Sequence, residues 1–260
     1  MEHYDCFFTN GQRPGLLKGR LCVVNAADMR DLDVVALAML RCELGGKRFL
    51  VRSAGSFVRS RIGQGAHELL TREQIANSDE GGALIIVGSH VPGSTRQLEI
   101  LLELPGMNAV ELNVHEVIEG GANPLGDIVE EVDKCLHRGQ NVVVYTSRDL
   151  VTGSTPDEYL EIGARVTEAI SEVVAKLSAR PRYVMSKGGM TSSNVIINGL
   201  SMSRATVPGQ AFPGVLVLKM GSETKYPGTS LVLFPGNVGG PNAMADVVKK
   251  LAPASPFVRS

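Results

Sequence analysis

Three separate glycine-rich segments of the 260-residue chain carry residue types suited to holding phosphate. The segment 186–193 reads Ser-Lys-Gly-Gly-Met-Thr-Ser-Ser and leads into an apolar run. Its adjacent glycines allow positive φ and close backbone approach, hydroxyls can cap a helix, and Lys187 adds a point charge. These features predict an anion site, although a Gly-Gly turn capped by Thr191 or Ser192 would explain the same residues. The spacing is not that of a Walker A loop.

Two further segments have the same character. Residues 88–97 follow an apolar run and precede a helical pattern, which predicts an anion site at the helix start, or a plain turn capped by Ser94 or Thr95. Residues 235–242 read Pro-Gly-Asn-Val-Gly-Gly-Pro-Asn, again before a helical pattern. They fit a phosphate or adenine-ribose cradle, or a loop that closes the last helix.

The remaining polar residues indicate less chemistry. Residues 147–149 read Ser-Arg-Asp after a strong strand pattern, and we interpret them as a solvated charge cluster. His90 could reach a phosphate, but we expect it to be exposed to solvent instead. The G-x-S-x-G elbow of α/β-hydrolases is absent. No general base stands out. The histidines lack the spacing of a metal site: His3, His67, His90, His115 and His137.

The elements that must position these loops alternate between strand and helix. Short β-branched runs predict strands at 21–24, 48–51, 83–87, 141–145, 182–185, 214–218 and 230–234. Helical spacing of apolar residues predicts helices at 31–44, 95–104, 126–136, 156–177, 192–200 and 242–251. This alternation predicts a layered α/β fold whose sheet is largely parallel, with helices on both faces. In such a sheet, ligands bind at the carboxyl ends of the strands, where the glycine segments lie.

Composition limits the possible partners. The chain has 26 basic and 27 acidic residues and a net charge of −1, which provides no long-range field for nucleic acid or an anionic membrane. The four cysteines are scattered, which fits reduced thiols, and there is no apolar run long enough to cross a bilayer. We therefore expect a cytoplasmic protein. The polar stretch 72–82 is the best candidate for a domain boundary.

The ordered segments 48–58, 87–89, 188–193 and 234–239 together resemble the four-carbon acid sugar kinase family. The resemblance extends from about residue 19 to residue 251. In that family, an N-terminal domain carries an acidic motif for the sugar acid and a C-terminal domain binds ATP. The resemblance therefore implies an ATP-dependent phosphotransferase that uses ATP and Mg²⁺ and acts on small sugar acids such as tetronates.

Carrying the family's nucleotide contacts across implies six binding residues: Ser89, Gly188, Gly189, Met190, Thr191 and Gly236. Many relatives have an acidic residue where Met190 stands, and Lys-Ser where this sequence has Phe234-Pro235. The acidic N-terminal motif has no counterpart, so we expect residues 1–75 to be a remnant or rejoining segment of the substrate domain and 76–260 to bind nucleotide. The chain is then a fragment, a half that needs a partner domain or copy, or a relic.

Two other functions stay open. A non-catalytic module that binds a nucleotide or a sugar phosphate is the main alternative, because no general base is evident. A nicotinamide-dependent oxidoreductase is disfavoured, because no G-x-G-x-x-G opens a first helix.

Overall fold

Two units make up the chain in the computed structural model, Met1–His67 and Glu68–Ser260. The structure describes residues 7–9, 21–65, 67–76, 81–120, 124–148, 151 and 155–253. The functional division of the chain at residues 75 and 76 stays a prediction.

The described residues of the first unit form a strand pair and two helices. Strand β1 (Phe7–Thr9) pairs antiparallel with β2 (Leu21–Val23), so the strand predicted at 21–24 forms outside the large sheet. Helix α1 (Met29–Leu44) begins with a capping box. The Asp28 side chain accepts a hydrogen bond from the backbone N–H of Asp31, and the Asp31 side chain accepts one from the backbone N–H of Asp28. Helix α2 spans Gly55–Arg61.

The prediction of a strand at residues 48–51 is wrong. These residues have no regular structure, and Leu50 is fully exposed. A short apolar run becomes a strand only when a neighbouring strand accepts its hydrogen bonds and a packed layer covers its side chains. Among the described residues no strand pairs with this run and its apolar side chains are exposed, so the β-branched composition does not decide the conformation.

The second unit is built on a sheet of seven strands in its described residues. Their order is β4-β5-β3-β6-β9-β8-β7. The first five are parallel to one another, whereas β8 is antiparallel to both β9 and β7. The strands are β3 (Leu84–Val87), β4 (Met107–Leu112), β5 (Asn141–Thr146), β6 (Tyr183–Lys187), β7 (Ala205–Phe212), β8 (Val215–Met220) and β9 (Ser230–Phe234).

Helices cover both faces of this sheet, which confirms the predicted layered α/β fold. Along β3, Leu84 and Ile86 point into one apolar core, and Ile85 and Val87 into the other. None of the described helices is both long and apolar enough to span a membrane. The described helices of the second unit are α3 (Arg72–Ile75), α4 (Pro92–Leu102), α5 (Val114–Glu119), α6 (Pro124–His137), α7 (Pro156–Lys176), α8 (Gly189–Asn194) with a π-helical turn (Val195–Gly199), and α9 (Ala243–Lys250).

The strand order reverses its direction between β3 and β6, the point at which an α/β sheet is expected to form its ligand crevice. The chain leaves β3 toward β4 on one side of the sheet and leaves β6 toward the strands β7 to β9 on the other side. Adjacent parallel strands whose connections run in opposite directions leave a gap at their carboxyl ends, where α/β proteins bind ligands. The loops after β3 and β6 are two of the three predicted glycine segments.

Candidate nucleotide-binding site

The loops after β3 and β6 pack against each other at the crevice. The last residues of the two strands, Val87 and Lys187, stand opposite each other in the sheet. A Cβ on Gly88 would overlap the Thr191 side chain, so only glycine lets α8 approach so closely. Gly188 has φ of +104°, and a Cβ there would lie 3.2 Å from the Ser89 Cβ.

The third loop joins them through the end of β9. The Gly188 backbone N–H donates to the Phe234 carbonyl at 3.0 Å. The Lys187 ammonium donates to the carbonyls of Pro235 at 2.8 Å and Gly236 at 3.2 Å. The structure therefore brings together three turns that lie far apart in the chain. We call the loops 87–90, 187–191 and 235–240 the cradle.

The predicted contact residues occupy different places in this cradle. Ser89 is partly exposed beside Gly188, Met190 is exposed, and Thr191 is buried against the β3 loop. Gly189 and Gly236 border open space, because a Cβ added at either residue would meet no heavy atom within 4 Å. Because the Gly188 N–H is already paired, Gly188 shapes the turn and does not present a donor. Contact of these residues with a nucleotide stays a prediction.

The hydroxyl caps considered for the two helices do not form. Helix α4 begins at Pro92 with Val91 as its N-cap, so Ser94 and Thr95 lie inside its first turn. Helix α8 begins at Gly189 with Gly188 as its N-cap, and neither cap residue contributes a side-chain hydrogen bond. The first backbone N–H groups of α8 therefore point out of the helix without a side-chain cap.

The Lys187 ammonium is directed at protein carbonyls rather than at the open side of the cradle, and its action as a phosphate charge stays a prediction. Its side chain is fully buried, and its ammonium lies 4.4 Å from the centroid of the Phe234 ring. The two carbonyls that it contacts belong to the third loop. Burial lowers the pKa of the Lys187 ammonium to about 8. Lys187 therefore links the end of β6 to the third loop.

This depressed pKa predicts how stability depends on pH. The folded protein releases the Lys187 proton near pH 8, whereas the unfolded chain holds it to about pH 10.4. Between these values the unfolded state binds more protons, so the Lys187 contribution to the free energy of unfolding rises with pH. We expect the stability difference between Lys187→Met and wild type to change across this window and to be constant below pH 7. Urea unfolding at a series of pH values measures it, and a constant difference from pH 6 to 10 would contradict the assignment.

Arg148 has a role in the cradle that the sequence did not indicate. The interpretation of residues 147–149 as a solvated cluster is wrong for Arg148, and Asp149 lies outside the described residues. The half-buried guanidinium donates to the carbonyls of Thr146 at 2.6 Å and Ser89 at 2.8 Å, and to that of Val87 at 3.3 Å. Burial lowers the pKa of this guanidinium. Arg148 therefore joins the carboxyl end of β5 to the first loop.

Gln97 performs a similar task for the third loop and was also missed. Its buried side-chain amide donates to three successive carbonyls, those of Val238, Gly239 and Gly240, at 2.9 to 3.2 Å. The sequence feature that could have indicated this role is a polar residue on the apolar, buried face of α4, next to Leu98. A polar residue buried at such a position needs a partner, and here that partner is the backbone of the cradle.

The cradle suits an anion better than a metal ion. The described residues contain no group of three or more histidine, cysteine or acidic side chains placed to hold a metal. His90 is exposed, as expected. Backbone N–H groups at glycine turns and at a helix start bind phosphate without side-chain charge.

Comparison with known proteins agrees with this geometry. A family model described as a nucleotide-binding C-terminal domain matches residues 84–244, which include all three loops of the cradle. No curated protein matches the chain.

Solved structures share the fold. A Haemophilus influenzae protein of the DUF1537 family has a TM-score of 0.55 and 22% identity, with 88% of this chain and 53% of that one covered. A Bordetella bronchiseptica DUF1537 domain, a domain-swapped dimer with bound citrate, has a TM-score of 0.53 and 16% identity, with coverage of 88% and 52%. A Salmonella typhimurium protein described as a proposed tRNA synthase has a TM-score of 0.53 and 15% identity, with coverage of 84% and 49%.

The chain thus spans about half the length of these solved relatives. The family match covers more than half of this chain, from the start of the central strand β3 to helix α9. On this evidence the chain belongs to the family of nucleotide-binding C-terminal domains.

Proposed function

We propose that this chain is the ATP-binding half of a kinase that phosphorylates small four-carbon sugar acids such as tetronates. The observation that carries the proposal is the meeting of three glycine loops at the crevice between β3 and β6. Nucleotide binding is the property of the family. ATP as the nucleotide and a sugar acid as the substrate come from the resemblance of the loop sequences.

The residues of this chain would act by positioning the nucleotide. Backbone N–H groups near Ser89, Gly189 and Gly236 border the open side of the cradle and would hold the phosphates. Phosphoryl transfer depends mainly on alignment and on stabilisation of charge that builds up on the phosphoryl oxygens. A fixed set of N–H donors supplies both for the nucleotide.

Mg²⁺ is implied by the resemblance alone. The described residues offer no set of carboxylates that fits it, and Met190 stands where many relatives have an acidic residue. We therefore assign no step to a metal on this chain. The substrate base is proposed to come from a partner domain, in keeping with the solved relatives being about twice as long.

A phosphotransfer assay tests the kinase. The chain is mixed with ATP and a panel of tetronates, with and without the unmatched half of the Haemophilus protein as partner domain. We expect ADP and a phosphorylated acid only when the partner domain is present. If the chain binds ATP and yet no tetronate is phosphorylated in either mixture, the kinase assignment fails and nucleotide binding stands.

The alternative is a module that binds a nucleotide or a sugar phosphate without chemistry. It is favoured by the cradle's contents, since the described residues around it present hydroxyls, amides and backbone groups rather than a carboxylate base. Calorimetry distinguishes the two functions. Tighter binding of a sugar phosphate than of ADP or ATP supports the module and contradicts the kinase.

A further inference from the structure

One buried cation, Lys187, and one half-buried cation, Arg148, lie next to the cradle without an acidic partner among the described residues. In the part of the chain that the structure describes, neither Arg148 nor Lys187 forms an ion pair with a carboxylate. Their polar contacts go to oxygen atoms, and these are backbone carbonyls except for the Thr146 hydroxyl. Glu111 acts on Arg148 only through its charge. Burying a positive charge among neutral groups is costly, so the arrangement calls for a structural or functional reason.

The carbonyls that these cations attract fix the direction of the neighbouring N–H groups. A trans peptide unit is planar, and its C=O and N–H bonds point in opposite directions. The Ser89 carbonyl points to Arg148, so the N–H of His90 points away from it. The carbonyls of Pro235 and Gly236 point to Lys187, so the N–H groups of Gly236 and Asn237 point away from Lys187.

These three N–H groups have no protein acceptor among the described residues. The Val238 N–H donates to the Pro235 carbonyl at 3.4 Å, which closes a turn with Gly236 and Asn237 at its centre. Successive free N–H groups in such a turn form a concave site for an anion. Asn237 and His90 are exposed, so their N–H groups are not enclosed by the core.

We propose that Arg148 and Lys187 are positioning residues for the phosphates. They draw the carbonyls of the first and third loops inward, so that the N–H groups of His90, Gly236 and Asn237 face the bound nucleotide. Their positive charges act on the phosphates from behind the loops, where low dielectric strengthens the attraction. The inference rests on the proposed nucleotide binding and makes the phosphate chain, rather than the nucleoside, the recognised part.

Amide hydrogen exchange of the whole chain, with and without ADP, tests this inference. In wild type, ADP should slow exchange at least tenfold in peptides that cover 88–91 and 235–238. In Arg148→Met, protection should be lost at 88–91 and kept at 235–238. In Lys187→Met, protection should be lost at 235–238 and kept at 88–91. Each variant is thus the control for the other, because a general loss of folding would remove the protection of both loops.

Other outcomes separate this inference from the proposed function. If calorimetry shows that wild type does not bind ADP, nucleotide binding itself is overturned. If ADP binds and both variants keep full protection in both loops, only the positioning role is overturned. Should a methionine variant fail to fold, Arg148→Lys or Lys187→Gln replaces it. Lysine has fewer donors than arginine and glutamine lacks the charge of lysine, so we expect a partial loss of protection, confined to the loop that each residue contacts.

Discussion

Gly189→Asp should reduce the affinity for ADP by at least a hundredfold and leave the thermal stability near that of wild type. The added side chain enters open space at the first residue of α8. An acidic group at a helix start does not harm folding and often helps it. A carboxylate about 4 Å from a phosphate charge is repelled by about 4 kcal/mol at a surface dielectric, which corresponds to roughly a thousandfold in affinity. Calorimetric titration with ADP and a melting curve measure the two quantities.

Two variants serve as controls for this prediction. Gly189→Asn has the same size without the charge, so it should retain much more affinity than Gly189→Asp. Gln140→Glu adds the same charge at an exposed residue just before β5, at the amino end of the strands, and should bind ADP as wild type does. Wild-type affinity in Gly189→Asp would show that phosphate does not lie beside α8.

Gly88→Ala should destabilise the second unit by about 1–3 kcal/mol, as expected when a methyl group is forced into a packed site. Its Cβ would overlap Thr191 and lie 3.1 Å from the Ile170 Cδ1 atom, so α8 must move away from β3. That movement opens the junction between the first two loops, and ADP affinity should fall as well. Urea unfolding measures the loss of stability.

A control and a rescue test the cause of this loss. Gly93→Ala lies in the same β3–α4 connection and meets no atom within 4 Å, so it should be neutral or stabilise by about 0.4–1 kcal/mol. Thr191→Ala removes the two side-chain atoms nearest to the new methyl group and should restore most of the stability to the Gly88→Ala protein. An equal loss in Gly93→Ala, or no recovery in the double variant, would show that the overlap is not the cause.

The fold class and the three glycine loops were predictable because their signals are local. A buried strand such as β3 is an unbroken β-branched run, and the glycines that follow it leave a turn and a helix start as the main interpretations. Strand β4 gave no such signal. It lies at an edge of the sheet, so its residues alternate between exposed and buried, with Asn108 and Glu111 among the apolar ones.

The supporting residues of the cradle could not be predicted in this way. Arg148 contacts a carbonyl 59 residues earlier in the chain, and Lys187 contacts one 48 residues later. Nothing in the residues next to either side chain indicates a partner so distant in sequence. Their roles follow from strand order, which places β5 beside β3 and β6 beside β9.

The strand order also determines when the cradle can exist during synthesis of the protein on the ribosome. Strand β9 reaches β6 only after the β7–β8 hairpin has been made, and the third loop follows β9 directly. Because chains emerge and fold from the N-terminal side, the first two loops must wait for the third. A nucleotide therefore cannot guide the early folding of this domain and can only stabilise it once β9 is in place.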